Sequence, residues 1–83
     1  MKSFAMKLRQ IRISSCMTQK AFCERLGFCL PTYKAWEIGK SLPTLEHYEQ
    51  LVSCFDLLNI TYDLRRELKK AYQEERGTQW LTR

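Results

Sequence analysis

Apolar residues recur along the chain at the spacing of a helix and not at that of a strand. In the first segment Phe4, Leu8 and Ile11 repeat at positions i, i+4 and i+7, which places them on one side of a helix. No long run alternates apolar and polar residues at a period of two. The pattern therefore predicts an all-α protein.

Capping and stop residues divide this pattern into separate helices. Ser3 can cap the first helix, and the polar stretch 14–16 ends it. Thr18 can cap a second, short helix of roughly eight residues. Gly27 stands where a left-handed residue would close that second helix.

Two further helices are predicted in the middle of the chain. The third begins at Cys29 or Leu30, and Pro31 falls in its first turn, where an N–H has no helical partner in any case. Gly39 ends this helix, and Thr44 can cap the fourth.

The last segment predicts the longest helix. It is expected to begin after Thr61 and to end at Gly77, which leaves residues 78–81 as a tail. Its apolar stripe consists of Leu64, Leu68, Ala71 and Tyr72.

The length of the chain, 83 residues, accommodates one small domain, and no repeat or linker divides it. We therefore take residues 1–83 as a single domain. No apolar run approaches the ~20 residues that span a bilayer. The first ten residues also lack the apolar stretch of a secretory signal, so the expected location is the cytoplasm, with no membrane partner.

Charge gives the first indication of a partner. The formal net charge is +5, and residues 1–43 hold eight basic residues against two acidic ones. A basic half on so small a domain is typical of a protein that binds a polyanion such as nucleic acid, although a solubilising surface would have the same composition.

The residues that carry metal or catalytic chemistry are sparse. The four cysteines form no C-x-x-C pair, and His47 is the only histidine, so we expect no metal site and no cofactor. No Gly-rich phosphate loop, nucleophile elbow or paired carboxylates are present, and no small-molecule ligand is indicated. The expectation is that the protein is not an enzyme.

Residues 18–37 have the layout of a helix-turn-helix, with two short helices joined by a tight turn at Gly27. Over residues 6–60 the chain resembles the Xre/Cro-type helix-turn-helix regulators of bacteria and phages. The resemblance rests on Leu8, Arg12, Thr18-Gln19, Leu26-Gly27, Trp36-Glu37-x-Gly39-Lys40, Pro43, Leu51 and Phe55. It implies a five-helix, lambda-repressor-like domain, with residues 61–83 as an added helix and tail.

The resemblance also implies a function, sequence-specific binding of double-stranded DNA by a transcriptional regulator, most simply a repressor of phage, mobile-element or antitoxin type. In this family the second helix directs its N-terminus at a phosphate and the third lies in the major groove. It further implies a structural ion pair between Arg12 and Glu37. The implied DNA face comprises Thr18, Gln19, Lys20, Leu30, Pro31, Thr32, Lys34, Ala35, Lys40 and Ser41.

The reading face departs from the usual family pattern. Leu30 and Pro31 occupy positions where residues capable of bidentate base contacts are common, and neither side chain can donate a hydrogen bond. They could pack on thymine methyl groups, specificity could come from DNA shape, or the scaffold could serve as a protein–protein interaction module. The sequence leaves these alternatives open.

A homodimer on an inverted-repeat operator is expected, because one helix-turn-helix domain contacts only a few base pairs. The alternative is that the fifth helix folds back on its own core. The candidate dimerisation residues are Leu64, Leu68, Ala71, Tyr72 and Trp80.

Overall fold

A computed structural model describes the backbone of residues 3–58 and 60–81 and the side chains of residues 3–58 and 60–76. Within these residues the chain is helical with no strand, which confirms the all-α prediction. None of the helices in this part of the chain has the length and apolar character needed to cross a bilayer. The elements are α1 (Ser3–Ser14), α2 (Gln19–Leu26), α3 (Leu30–Glu37), α4 (Leu45–Ser53), a 3-10 turn (Phe55–Leu58) and α5 (Tyr62–Leu81).

The predicted caps form at the starts of α2 and α4. Thr18 Oγ1 accepts a hydrogen bond from the N–H of Ala21 at 3.1 Å, and Thr44 Oγ1 accepts one from the N–H of His47 at 3.2 Å. Each hydroxyl satisfies a first-turn N–H that has no partner within its helix, and an N-cap of this kind contributes about 1 kcal/mol. These two residues fix where the second and fourth helices begin.

Gly27 ends α2 in the left-handed conformation, with φ at 84°. The N–H of Gly27 bonds the carbonyl of Cys23 at 2.9 Å, and the left-handed φ turns the chain so that the N–H of Phe28 bonds the same oxygen, also at 2.9 Å. A residue with a Cβ would be strained at this φ. The turn between α2 and α3 therefore depends on glycine.

The predicted end of α5 at Gly77 is wrong, because the helix continues to Leu81. A glycine inside a helix costs only about 1 kcal/mol relative to alanine, and it ends a helix only where the chain turns left-handed. The residues expected to form a tail, 78–81, therefore belong to α5.

The apolar stripe of α5 covers the protein's own core. Leu68, Ala71 and Tyr72 are 0%, 4% and 1% exposed. The Tyr72 ring stacks on Tyr48 of α4, with centroids 4.1 Å apart and ring planes at 3°, and Tyr72 Oη donates to the carbonyl of Pro43 at 2.8 Å. Helix α5 is thus an integral layer of the domain.

This packing corrects the dimerisation prediction for Leu68, Ala71 and Tyr72, which are unavailable to a second copy. The physical reason is that the rings of Phe4 and Tyr48 need a cover, and Phe4 lies 5.5 Å from the Tyr72 ring, centroid to centroid. Burying these rings within the chain removes apolar area from water without the entropic cost of association.

Leu64 is half-buried against the same core, so it too belongs largely to the domain itself. The side chain of Trp80 lies outside the described residues. Leu64 therefore offers only part of its side chain to the interface that the dimerisation prediction required.

Leu68→Ala should lower the free energy of unfolding by about 3 kcal/mol, because it leaves a cavity at a fully buried site. Urea unfolding at several protein concentrations measures the loss. Lys69→Ala, an exposed neighbour on the same helix, should change stability by less than about 0.5 kcal/mol. A small loss of unfolding free energy in Leu68→Ala that depends on protein concentration would instead indicate that Leu68 lies in a subunit interface.

Candidate nucleic-acid interface

Helices α2 and α3 pack through aromatic rings and one small residue. Phe22 of α2 meets Tyr33 of α3 edge to face, with centroids 5.6 Å apart. Cys23 is 2% exposed and behaves here as a small buried hydrophobe. Trp36 is also 2% exposed and lies edge to face with Phe28 at 4.9 Å, so its ring belongs to the core. One side of α3 is therefore fully engaged inside the domain.

A buried carboxylate joins three helices. Arg12 of α1 donates from Nε to Glu37 Oε2 at 2.6 Å, which forms the ion pair that the resemblance implies. Glu37 also accepts hydrogen bonds from Tyr33 Oη at 2.5 Å and from Gln19 Nε2 at 3.1 Å. Arg12 Nη1 in turn donates to the carbonyl of Met17 at 2.8 Å, just before α2. The network sets the end of α3 against α1 and against the start of α2.

The charge state of this network follows from its partners. Burial of the Glu37 carboxyl would by itself raise its pKa, but the hydrogen bonds from Arg12, Tyr33 and Gln19 outweigh that effect and hold the pKa below the ordinary 4.5. The hydrogen bond to Glu37 raises the pKa of Arg12, in spite of burial. Burial, and then the hydrogen bond to Glu37, raise the pKa of Tyr33. The site thus holds a carboxylate, a guanidinium and a neutral phenol at neutral pH.

Gln19 makes a contact within the protein that the sequence did not predict. The resemblance implied an amide directed at a phosphate, whereas the Gln19 side chain is half-buried and donates to Glu37. That bond commits one of the two amide N–H groups. Gln19 therefore acts first as a positioning residue for the start of α2.

The other side of α3 faces away from the core. Pro31, Thr32 and Lys34 are exposed, and Ala35 is half-buried. Leu30 is also half-buried, and it packs against the core, so it offers only part of its side chain to a ligand.

Sequence reasoning missed Ile38, which caps α3 and is 67% exposed. A signal was present, since Pro31, Ala35 and Ile38 follow the i, i+4, i+7 spacing of one helix face. These three residues form what we term the apolar ridge of α3.

Basic residues lie on α3 and on the elements before and after it. Lys20, Lys34 and Lys40 are exposed, and none of them forms an ion pair with a residue in the described part of the chain. Lys40 follows a turn at Gly39, whose φ is 79°, and its N–H bonds the carbonyl of Ala35 at 2.9 Å. The turn ties Lys40 to the end of α3, and exposed Ser41 follows it.

The N-terminus of α2 also belongs to the candidate interface. Thr18 is exposed, and its hydroxyl is used as the helix cap. The first N–H groups of α2 lie beside this cap, where the helix dipole favours an anion. The N-terminus of α2, the exposed side of α3 and three exposed lysines therefore all fall within residues 18–40.

The described residues contain no group of three or more His, Cys, Asp or Glu side chains placed to hold a metal ion. All four cysteines lie in this part of the chain, and their thiols are free.

The chain matches no protein-family model, no curated protein and no solved structure.

Glu37→Gln should lower the free energy of unfolding at pH 7 by about 3 kcal/mol, because it leaves the Arg12 guanidinium without its counter-charge. The folded pKa of Glu37 lies below its unfolded value, so the unfolded state binds more protons as the medium becomes acidic. The stability contributed by Glu37 is therefore complete above pH 4.5 and declines as the pH falls below it.

Urea unfolding from pH 7 down to pH 3 measures the difference between wild type and Glu37→Gln. The difference should be constant above pH 4.5 and should narrow below it. Glu24→Gln, which removes an exposed carboxylate of α2, should reproduce the wild-type profile. A difference that widens in acid would mean that Glu37 is protonated in the folded protein.

Proposed function

We propose that the protein is a transcriptional regulator that binds specific double-stranded DNA through its helix-turn-helix. The resemblance to Xre/Cro-type regulators suggests a repressor of phage, mobile-element or antitoxin type. The observation that carries the proposal is the division of α3 into two sides. One side is fixed by Tyr33, Trp36 and Glu37. The other is exposed, and the exposed lysines on and beside α3 form no ion pair with any residue that the structure describes.

In the proposed complex α3 lies in the major groove, where Thr32 and Lys34 reach the base edges. The N-terminus of α2 faces a phosphate, and Lys20, Lys40 and Ser41 contact the backbone on either side. The network around Glu37 holds α2 and α3 at one mutual angle, so that both sets of contacts form together.

The second candidate is a protein-interaction module on the same scaffold. The apolar ridge of α3 favours it, because Pro31, Ala35 and Ile38 can donate no side-chain hydrogen bond to a base. The two candidates differ in salt dependence, since binding to phosphates weakens steeply as salt is added.

Lys40→Ala should weaken binding to random-sequence duplex DNA and lower the slope of log K against log salt by about 0.9, the loss of one phosphate contact. Fluorescence anisotropy over a salt series measures both quantities. Lys69→Ala, on α5 and outside the helix-turn-helix, should leave the slope unchanged. Binding that is absent or insensitive to salt would contradict the DNA proposal and favour the protein-interaction module.

We further propose that the protein acts as a homodimer, through a surface other than the one the sequence suggested. Leu57, in the 3-10 turn, and Tyr62, at the start of α5, are each 72% exposed. We term these two residues the corner patch. They flank a turn in which the N–H of Ile60 bonds the carbonyl of Phe55 at 3.4 Å.

Charges of both signs lie beside the corner patch, which makes it suited to pairing with a second copy of itself. Asp56 pairs with Arg65 at 2.7 Å, and Asp63 lies 3.6 Å from Arg66. Both aspartate side chains are well exposed, at 78% and 81%. Two copies related by a twofold axis can therefore bring acid against base on each side of an apolar centre.

Leu57→Asp should give a folded monomer that binds the operator more weakly, because it places a charge at the centre of the corner patch. Analytical ultracentrifugation at micromolar concentration reports the mass, and selection from a random duplex pool reports the site. Wild type should enrich an inverted repeat and Leu57→Asp a single half-site. Met6→Asp, which alters a residue that is 62% exposed on α1, should remain dimeric. A wild type that is monomeric both free and on DNA would overturn the dimer proposal.

A further inference from the structure

The apolar ridge occupies the outermost part of α3. Successive residues of a helix are rotated by about 100°, so Pro31, Ala35 and Ile38 project opposite the buried pair Tyr33 and Trp36. Pro31 is exposed, Ala35 is half-buried, and Ile38 is 67% exposed. Apolar side chains therefore take the positions that would enter a groove first.

Hydrogen-bonding side chains stand only at the flanks of the ridge. Thr32 lies on one side and Lys34 on the other, both exposed. Pro31 lacks even a backbone N–H, and it lies in the first turn of the helix. The centre of the exposed side thus has no donor or acceptor to offer a base edge.

The major groove contains one apolar group that a side chain can recognise, the C5-methyl of thymine. The guanine and cytosine edges present polar groups instead. Covering those groups with an apolar side chain would remove their water without replacing its hydrogen bonds, which is unfavourable.

We infer that the apolar ridge reads thymine C5-methyl groups, and that Pro31, Ala35 and Ile38 determine the specificity of this chain. The inference rests on the proposed DNA-binding function. Seven residue steps separate Pro31 from Ile38, about 10 Å at the rise of a helix, which matches about three base-pair steps. The preferred half-site therefore contains thymines within one three-base-pair stretch opposite the ridge.

The surrounding charge favours DNA over a protein as the occupant of this face. Lys20, Lys34 and Lys40 are exposed on α2, on α3 and just after α3, without ion-pair partners among the described residues, and Glu37 is neutralised by Arg12. An apolar centre framed by uncompensated cations suits a methyl-bearing base edge between two phosphate backbones.

The test replaces thymines of the selected duplex, one at a time, with deoxyuridine. This change removes the C5-methyl and keeps base pairing and the polar groups of the edge, so a loss of affinity reports on the methyl alone. Each contacted position should lose about fourfold in affinity, the value of one buried methyl group. Cytosine at the same position should bind weakly, and 5-methylcytosine should recover about the same factor relative to cytosine.

Two variants assign the effect to the ridge. Ile38→Ala and Pro31→Ala should each abolish the uracil penalty at one position, because the side chain that contacts the methyl is gone. Met6→Ala, which truncates an exposed apolar residue of α1, should retain every penalty. Circular dichroism should show that all three variants are folded.

The outcomes separate the two proposals. Salt-dependent binding with no uracil penalty at any position, or with penalties that Ile38→Ala and Pro31→Ala leave unchanged, overturns the methyl-reading inference and keeps the DNA-binding function. A wild type that binds no duplex overturns both proposals and assigns the ridge to a protein partner.

Discussion

The carboxylate of Glu37 is the constraint on which the helix-turn-helix depends. A charge placed between helices is tolerated only when its solvation is replaced by hydrogen bonds and an opposite charge. Here Arg12, Tyr33 and Gln19 supply that replacement from α1, α3 and α2 in turn. Because the three donors sit on three helices, the carboxylate can be satisfied in only one mutual arrangement of those helices. Electrostatics and hydrogen bonding thus specify an orientation that apolar packing alone would leave less sharply defined.

A second constraint comes from α5, which is hydrogen-bonded to the segment that follows α3 and to the start of α1. The carbonyl of Pro43, which follows the turn after α3, accepts hydrogen bonds from Tyr72 Oη at 2.8 Å and from Arg76 Nη1 at 3.5 Å. At the start of α1, the N–H of Phe4 donates a hydrogen bond to the Glu75 carboxylate of α5 at 2.7 Å. The start of α1 and the segment beyond Lys40 are therefore both attached to α5. The proposed DNA face is supported by a core that draws on every helix of the described chain.

Features set by neighbouring residues were predictable from the sequence. The caps at Thr18 and Thr44 and the left-handed turn at Gly27 depend on backbone chemistry within a few residues, so their positions follow directly from residue types. The Arg12–Glu37 pair was accessible only through the resemblance to known regulators, since 25 positions separate its members. No local pattern reports a contact of that kind.

Features decided by long-range packing were predicted less well. The stripe containing Leu68 and Tyr72 identified a buried face correctly, but periodicity does not say which surface covers it, and that surface is the protein's own core. Gly77 does not end α5, because the rest of the helix supplies enough stability to continue through it. The exposure of Ile38 was missed for a related reason, since an apolar residue is assigned to the core unless its neighbours show otherwise.

The stacked rings of Tyr48 and Tyr72 have a consequence for how the chain can be divided. The resemblance to known regulators covers residues 6–60, a segment that contains the whole helix-turn-helix. A fragment with those bounds would lack both Phe4 and Tyr72, and one face of Tyr48 would be left against water. The recognisable segment is therefore shorter than the smallest unit that can close its own core. In this protein the segment that resembles a DNA-binding regulator and the segment that can fold by itself have different boundaries.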